Sequence, residues 1–216
     1  MFPGIGGFGS GGVPAGGGGA AASTAVDLSS GSVLLDPGSY IDTRSSTSIT
    51  TTTNGSGTNT NVSTFAYIDL EGATDDGLYT WELERTNAGQ NDKTGMILGF
   101  FDSASFSRSC MAGIMETTSV RALDRADGTT IQPTNNNLIA KCKVQIRLST
   151  NEDGNRVIGP GWIDTYAADD TLLETDELAA HIVSGTLRKV AGIRRGTSGA
   201  PAGTFDYTLT ESQAAL

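Results

Sequence analysis

Hydrophobic positions beyond residue 62 recur with a period of two. In LYTWELER (78–85), Tyr79, Trp81 and Leu83 alternate with Thr80, Glu82 and Glu84, the pattern of a strand that buries one face. IAKCKVQIRLST (139–150) sets Ala140, Cys142, Val144, Ile146 and Leu148 against Lys141, Lys143, Gln145 and Arg147. Asp153-Gly154 then supplies a tight turn and RVIGPGWIDTY returns, so 139–166 is predicted to form a β-hairpin. Gly159-Pro160-Gly161 cannot continue a regular ladder and predicts a bulge or an edge position. TGMILGFF (94–101) is apolar on both faces, as in a central strand covered on both sides. TFDYTLT (204–210) alternates again, with Phe205, Tyr207 and Leu209 inward.

Only TDELAAHIV (175–183) reads as a helix. Thr175 stands where a cap belongs, Asp176 and Glu177 suit the positive end of the helix dipole, and Gly185 follows. One short helix among about ten strands predicts an all-β fold, an antiparallel, jelly-roll-like β-sandwich over 62–216. Before it lies a collar, 23–61, rich in Ser, Thr and Asn, with turn signals at Pro37-Gly38 and Asn54-Gly55. Its Thr-rich runs have strand propensity but little to bury, and are read as edge strands and a loop.

Residues 1–22 form a glycine-rich arm, with glycine at ten of the first nineteen positions. Glycine loses the most backbone entropy on ordering. Such an arm is expected to be held only between neighbouring molecules, with Phe2, Ile5, Phe8 and Val13 as its anchors.

Composition narrows the function. The net charge is -10, which argues against nucleic-acid binding, because phosphate affinity comes from clustered Lys and Arg. No run reaches the roughly 18–20 apolar residues of a membrane span, so no membrane partner is expected. The amino terminus has no basic region and scatters its apolar residues among glycines, unlike a secretory signal. The chain is expected to stay where it is made, or to leave by lysis. Cys110 and Cys142 form neither a disulfide framework nor a zinc motif. They are read as two buried free thiols, with a single bridge as the alternative.

Glu82 and Glu84 share a strand face and invite a glycosidase reading. Sandwich-type glycosidases carry a third acid in the pattern E-x-D-x-x-E, however, and Arg85 and Thr86 follow here. His181 is the sole histidine, so no Ser-His-Asp triad or two-histidine metal site can assemble in one chain. Asp75-Asp76, and Asp164 with Asp169-Asp170, offer oxygens to calcium but lack the D-x-D-x-D-G spacing. GIGGFGSGG lacks the preceding strand and following helix of a phosphate loop. No catalytic residue, cofactor or metal is therefore expected. Arg188, Lys189, Arg194 and Arg195 form the one basic cluster, read as an inter-subunit patch that meets the acidic 164–177 segment of another copy.

LYTWELERTNAGQNDKTGMILGFFDS (78–103) and CKVQIRLSTNEDGNRVIGPGWIDTY (142–166) resemble segments of the concanavalin-type, lectin-like jelly-roll sandwiches. That resemblance implies a β-sandwich whose concave face, in many members, binds glycans. The layout of glycine-rich arm, Ser/Thr/Asn-rich collar and acidic β domain resembles a tailed-bacteriophage virion protein. It implies a non-enzymatic structural protein, localised to the virion, docking through its arm on other virion proteins and on copies of itself as a homo-oligomer. The alternative is a carbohydrate-binding module of a fibre or adhesin, with Trp162 and Tyr166 stacking on a surface glycan; Trp81 is a third aromatic to test for stacking, but its alternation puts it in the core pattern. A glycosidase or lyase resting on Glu82 and Glu84 is the third reading.

Overall fold

A computed structural model describes residues 21–36, 39–51, 65–72, 74–87, 95–104, 110–116, 119–120, 122–124, 130–131, 139–194 and 203–216. The strands within them are β1 (Thr24–Ala25), β2 (Val33–Leu35), β3 (Ile41–Arg44), β4 (Ser48–Thr51), β5 (Phe65–Asp69) and β6 (Gly77–Arg85). Next come β7 (Gly95–Asp102), β8 (Cys110–Glu116), β9 (Ser119–Val120), β10 (Ala122–Asp124), β11 (Thr130–Ile131) and β12 (Lys141–Thr150). The last are β13 (Arg156–Tyr166), β14 (Leu172–Leu178), β15 (His181–Ile182), β16 (Leu187–Arg194) and β17 (Thr204–Ala214). The anchors Phe2, Ile5, Phe8 and Val13 lie outside the described residues.

Two antiparallel sheets make a sandwich. The larger runs β14-β13-β12-β6-β17-β4-β3, with β1 beside β17 and β15 beside β13. The smaller runs β11-β10-β8-β7-β16-β5-β2, with β9 beside β8. Alternation decides what lies between them. Tyr79 and Trp81 of β6, Val144 and Ile146 of β12, and Leu98 and Phe100 of β7 are fully buried in one core. Phe100 meets Tyr79 edge-on at 4.9 Å and Trp81 at 5.6 Å between ring centroids, so these aromatics tie the sheets face to face.

The apolar run of β7 is buried on both faces, as its pattern predicts. Met96, Leu98 and Phe100 enter the main core, while Ile97 joins Tyr67, Met111 and Val190 in a second cluster on the other face. Gly99 lies between them at φ 152°, and a Cβ there would meet the Cys110 carbonyl oxygen at 2.2 Å. Only glycine lets β7 and β8 approach this closely.

The β12–β13 hairpin forms with Asn151–Asn155 as its turn. Its register shifts between Ile146 and Leu148, where Gly159 (φ 92°) and Pro160 oppose the single residue Arg147. That is a bulge. It sits inside the sheet, because β14 and β15 pair with the far side of β13. The stretch read as a collar supplies β2 and β3 at the two sheet edges, and its Leu28 and Ile49 are fully buried.

The expected helix at 175–183 is not there. Residues Leu172–Leu178 are strand β14, paired antiparallel with Gly161–Tyr166, and His181–Ile182 pair with Val157 and Ile158. A nine-residue helix gains little from propensity alone, whereas a strand here satisfies the backbone along the open side of β13. Thr175, the proposed cap, instead donates its hydroxyl to Asp164 Oδ1 at 2.7 Å.

Candidate functional site

The register of the larger sheet turns separate alternations into one polar surface. Core residues of β6, β12, β13 and β17 point inward, so their alternate neighbours share the outer face. Across the strands, Asp164 lies beside Lys143, Lys143 beside Glu82, and Glu82 beside Thr210. One step along, Tyr166 lies beside Lys141, Lys141 beside Glu84, and Glu84 beside Thr208. One step the other way, Trp162 lies beside Gln145 and Gln145 beside Thr80.

This surface is dished. A groove of about 400 Å³ runs over β13, β12, β6 and β17, lined by Glu82, Glu84, Lys141, Lys143, Tyr166 and Asp170 among others. Its end wall is the β13–β14 turn, closed by the Asp170 amide donating to the Ala167 carbonyl at 3.1 Å. Asp170 has φ 65°, a left-handed turn conformation that aspartate tolerates better than most residues. Lys141 Nζ donates to Asp170 Oδ1 at 2.6 Å while lying 3.8 Å from Glu84. The hydrogen bond to Asp170 holds the Lys141 ammonium above its ordinary pKa.

Tyr166 is half-buried, and its hydroxyl donates to Asp164 Oδ2 at 3.5 Å. Partial burial, followed by the charges of Asp164 and Glu82, pushes its phenol above the ordinary value. The hydroxyl therefore stays protonated at neutral pH and suits a hydrogen-bond donor rather than a base. Trp162, four residues earlier on the same face, is also half-buried. Groups positioned this way can stack on an apolar ring face and exchange hydrogen bonds with hydroxyls.

The other candidates from sequence lie apart from this groove. Trp81 is fully buried, and its indole donates to Glu211 at 2.8 Å. His181 pairs with Ile158, at the opposite end of β13 from Tyr166. Asp76 accepts from the Thr150 amide at 2.8 Å and pairs with Arg156 at 3.5 Å. Among the described residues no cluster of three or more His, Cys, Asp or Glu could hold a metal. Cys110 and Cys142 are buried free thiols, as expected.

Within the basic cluster, Lys189 is buried and bonded to Glu211 of the same chain, while Arg188 pairs with Asp69 at 2.8 Å. Arg195 and the side chain of Arg194 lie outside the described residues. Asp170 enters from the sequence only as a candidate calcium ligand, and Lys141, Lys143, Thr208 and Thr210 are not singled out by it. Their signal was the shared polar parity of β12 and β17, which becomes a surface only once β6 is known to lie between those strands.

Compared with known proteins, the sequence matches no family model and no curated protein. Among solved structures, the fold is similar to a protein of unknown function from Shewanella oneidensis MR-1, at 11% identity and TM-score 0.42, over 89% of this chain and 79% of that one. It is similar to an alginate lyase from Chlorella virus at 12% identity and TM-score 0.45, over 90% of this chain and 93% of that one. It is also similar to arcelin-5, a lectin-like defense protein from Phaseolus vulgaris, at 8% identity and TM-score 0.41, over 89% of this chain and 98% of that one. The sandwich assignment rests on the two sheets themselves.

Proposed function

We propose that this chain is a non-catalytic carbohydrate-binding module whose ligand lies across the outer face of the larger sheet. The observation that carries this reading is the placement of Trp162 and Tyr166 on one strand face, beside a field of carboxylates, ammoniums and threonine hydroxyls. Sugar rings offer apolar C–H faces to aromatic side chains and hydroxyl edges to polar ones, and the groove presents both. Binding is favoured over turnover because Glu82 and Glu84 lack the third acid of the E-x-D-x-x-E pattern, Arg85 and Thr86 standing after them.

A glycan array probed with the wild-type chain and with a Trp162→Ala/Tyr166→Ala variant tests the reading. Hits with the wild type that vanish in a variant of unchanged circular dichroism support it. An array without hits, or hits that survive in the variant, would overturn it. Display on a virion, with residues 1–22 docking on other virion proteins or on further copies of the chain, is the setting we propose for such a module. Deleting residues 2–20 should then leave the sandwich folded and keep the chain out of particles, and normal incorporation would refute that setting.

A further inference from the structure

We infer that the groove takes neutral glycan chains and rejects those carrying carboxylate or sulfate groups, an inference that rests on the carbohydrate-binding reading above. Two features of the outer face lead to it.

The first is charge. Among the described residues, Glu82, Glu84, Asp164 and Asp170 bring four carboxylates to the groove and its margin, against the ammoniums of Lys141 and Lys143. Lys141 is already committed, touching Asp170 at 2.6 Å and Glu84 at 3.8 Å. Lys143 is flanked in register by Asp164 on one side and Glu82 on the other. Glu177 lies beside Trp162. An incoming carboxylate or sulfate would therefore meet a face whose carboxylates outnumber its cations, Lys141, Lys143 and the exposed Arg147 farther along β12, and the chain's net charge of -10 adds a repulsive long-range field. Neutral sugar hydroxyls suffer no such penalty. They can donate to Glu82, to the remaining lone pairs of Asp164 and to the Tyr166 oxygen, whose own proton goes to Asp164.

The second is length. Trp162 and Tyr166 are four residues apart on one strand, about 13 Å along its axis. That separation exceeds a single sugar ring, so both platforms are used only by a chain of several rings running along β13. A monosaccharide would reach one platform and lose the contribution of the other.

Titration calorimetry with neutral hexose oligosaccharides and with oligouronates of matched length tests this. Wild type should bind a neutral chain at least about tenfold more tightly than an oligouronate, and should bind the corresponding monosaccharide weakly. In a Glu82→Gln/Asp164→Asn variant that preference should shrink by about tenfold. A measurement on unaltered protein backs this up: raising salt should strengthen residual oligouronate binding, because screening weakens repulsion.

Oligouronate binding as tight as neutral binding, with both lost in Trp162→Ala, would overturn the selectivity and leave the carbohydrate reading standing. A preference unmoved by the double variant, or oligouronate binding that weakens with salt, would overturn the charge mechanism. Binding of neither panel would overturn the carbohydrate reading itself, and this inference with it.

Discussion

Lys189 of β16 and Glu211 of β17 join the two sheets through an ion pair of 2.5 Å, with side chains 9% and 16% exposed. The second oxygen of Glu211 accepts from the Trp81 indole at 2.8 Å, and the ammonium lies 5.7 Å from the Tyr79 ring centroid. Lys189→Met keeps most of the apolar stem but leaves a buried carboxylate with one donor. Removing one partner of a buried pair destabilises by about 3–5 kcal/mol. The surviving Trp81 bond is worth about 1.5–3 kcal/mol for a charged acceptor, which places Lys189→Met near the lower end, about 3 kcal/mol. Glu211→Gln leaves an acceptor for Trp81 but strands the more deeply buried Lys189 ammonium over Tyr79, so its loss should be similar, about 3 kcal/mol. The double variant buries no charge at this position and should be less destabilised than the summed single effects by about 1 kcal/mol or more. Urea unfolding followed by tryptophan fluorescence and circular dichroism measures all three. A Lys189→Met variant within about 0.5 kcal/mol of wild type, or strictly additive effects, would refute the claim that this pair locks the sheets.

Asp102 gives a pH prediction. It is fully buried, which opposes ionisation, yet the amides of Ser184 and Ala104 donate to it at 2.8 and 2.9 Å and hold its pKa below the ordinary carboxylate value. Its contribution should be complete above the unfolded-state value near about 3.9 and should be lost as pH falls through the lower folded value. Asp102→Asn should therefore lower the urea midpoint at neutral pH and flatten the decline between pH 4 and 2 (a window of about two units); an unchanged acid limb would contradict this. Cys142 gives a chemical one. Burial pushes its thiol up to about 12, so native protein should resist a thiolate-directed reagent at mildly alkaline pH and react once unfolded in guanidinium chloride. Rapid labelling of Cys142 in the native state, read by peptide mass spectrometry, would contradict the burial.

Local pattern reached far into this fold where neighbours in sequence are neighbours in space. The β12–β13 hairpin follows from two alternating runs around Asp153-Gly154, and the bulge at Gly159-Pro160 follows from residues that cannot extend a ladder. Local pattern failed where a distant partner decided the outcome. TDELAAHIV satisfies helix rules, but the unpaired side of β13 makes it strand. Lys189 reads as surface charge until the sheets meet and Glu211 faces it. The site divides in the same way. Trp162, Tyr166, Glu82 and Glu84 are visible as polar or aromatic members of alternating strands. That β6 lies between β12 and β17, bringing Lys141 to one side of Glu84 and Thr208 to the other, is information held only in the non-local register.

The two tryptophans allow the most direct test of glycan binding on the outer face. Trp81 is fully buried, while Trp162 is half-exposed on the proposed binding face. Titrating the protein with a neutral oligosaccharide identified on the array should change tryptophan emission and protect one indole from acrylamide. Both effects should disappear in Trp162→Phe while Trp81 emission stays as it was. If the oligosaccharide binds without altering the emission or quenching of Trp162, its site lies elsewhere and the account is wrong.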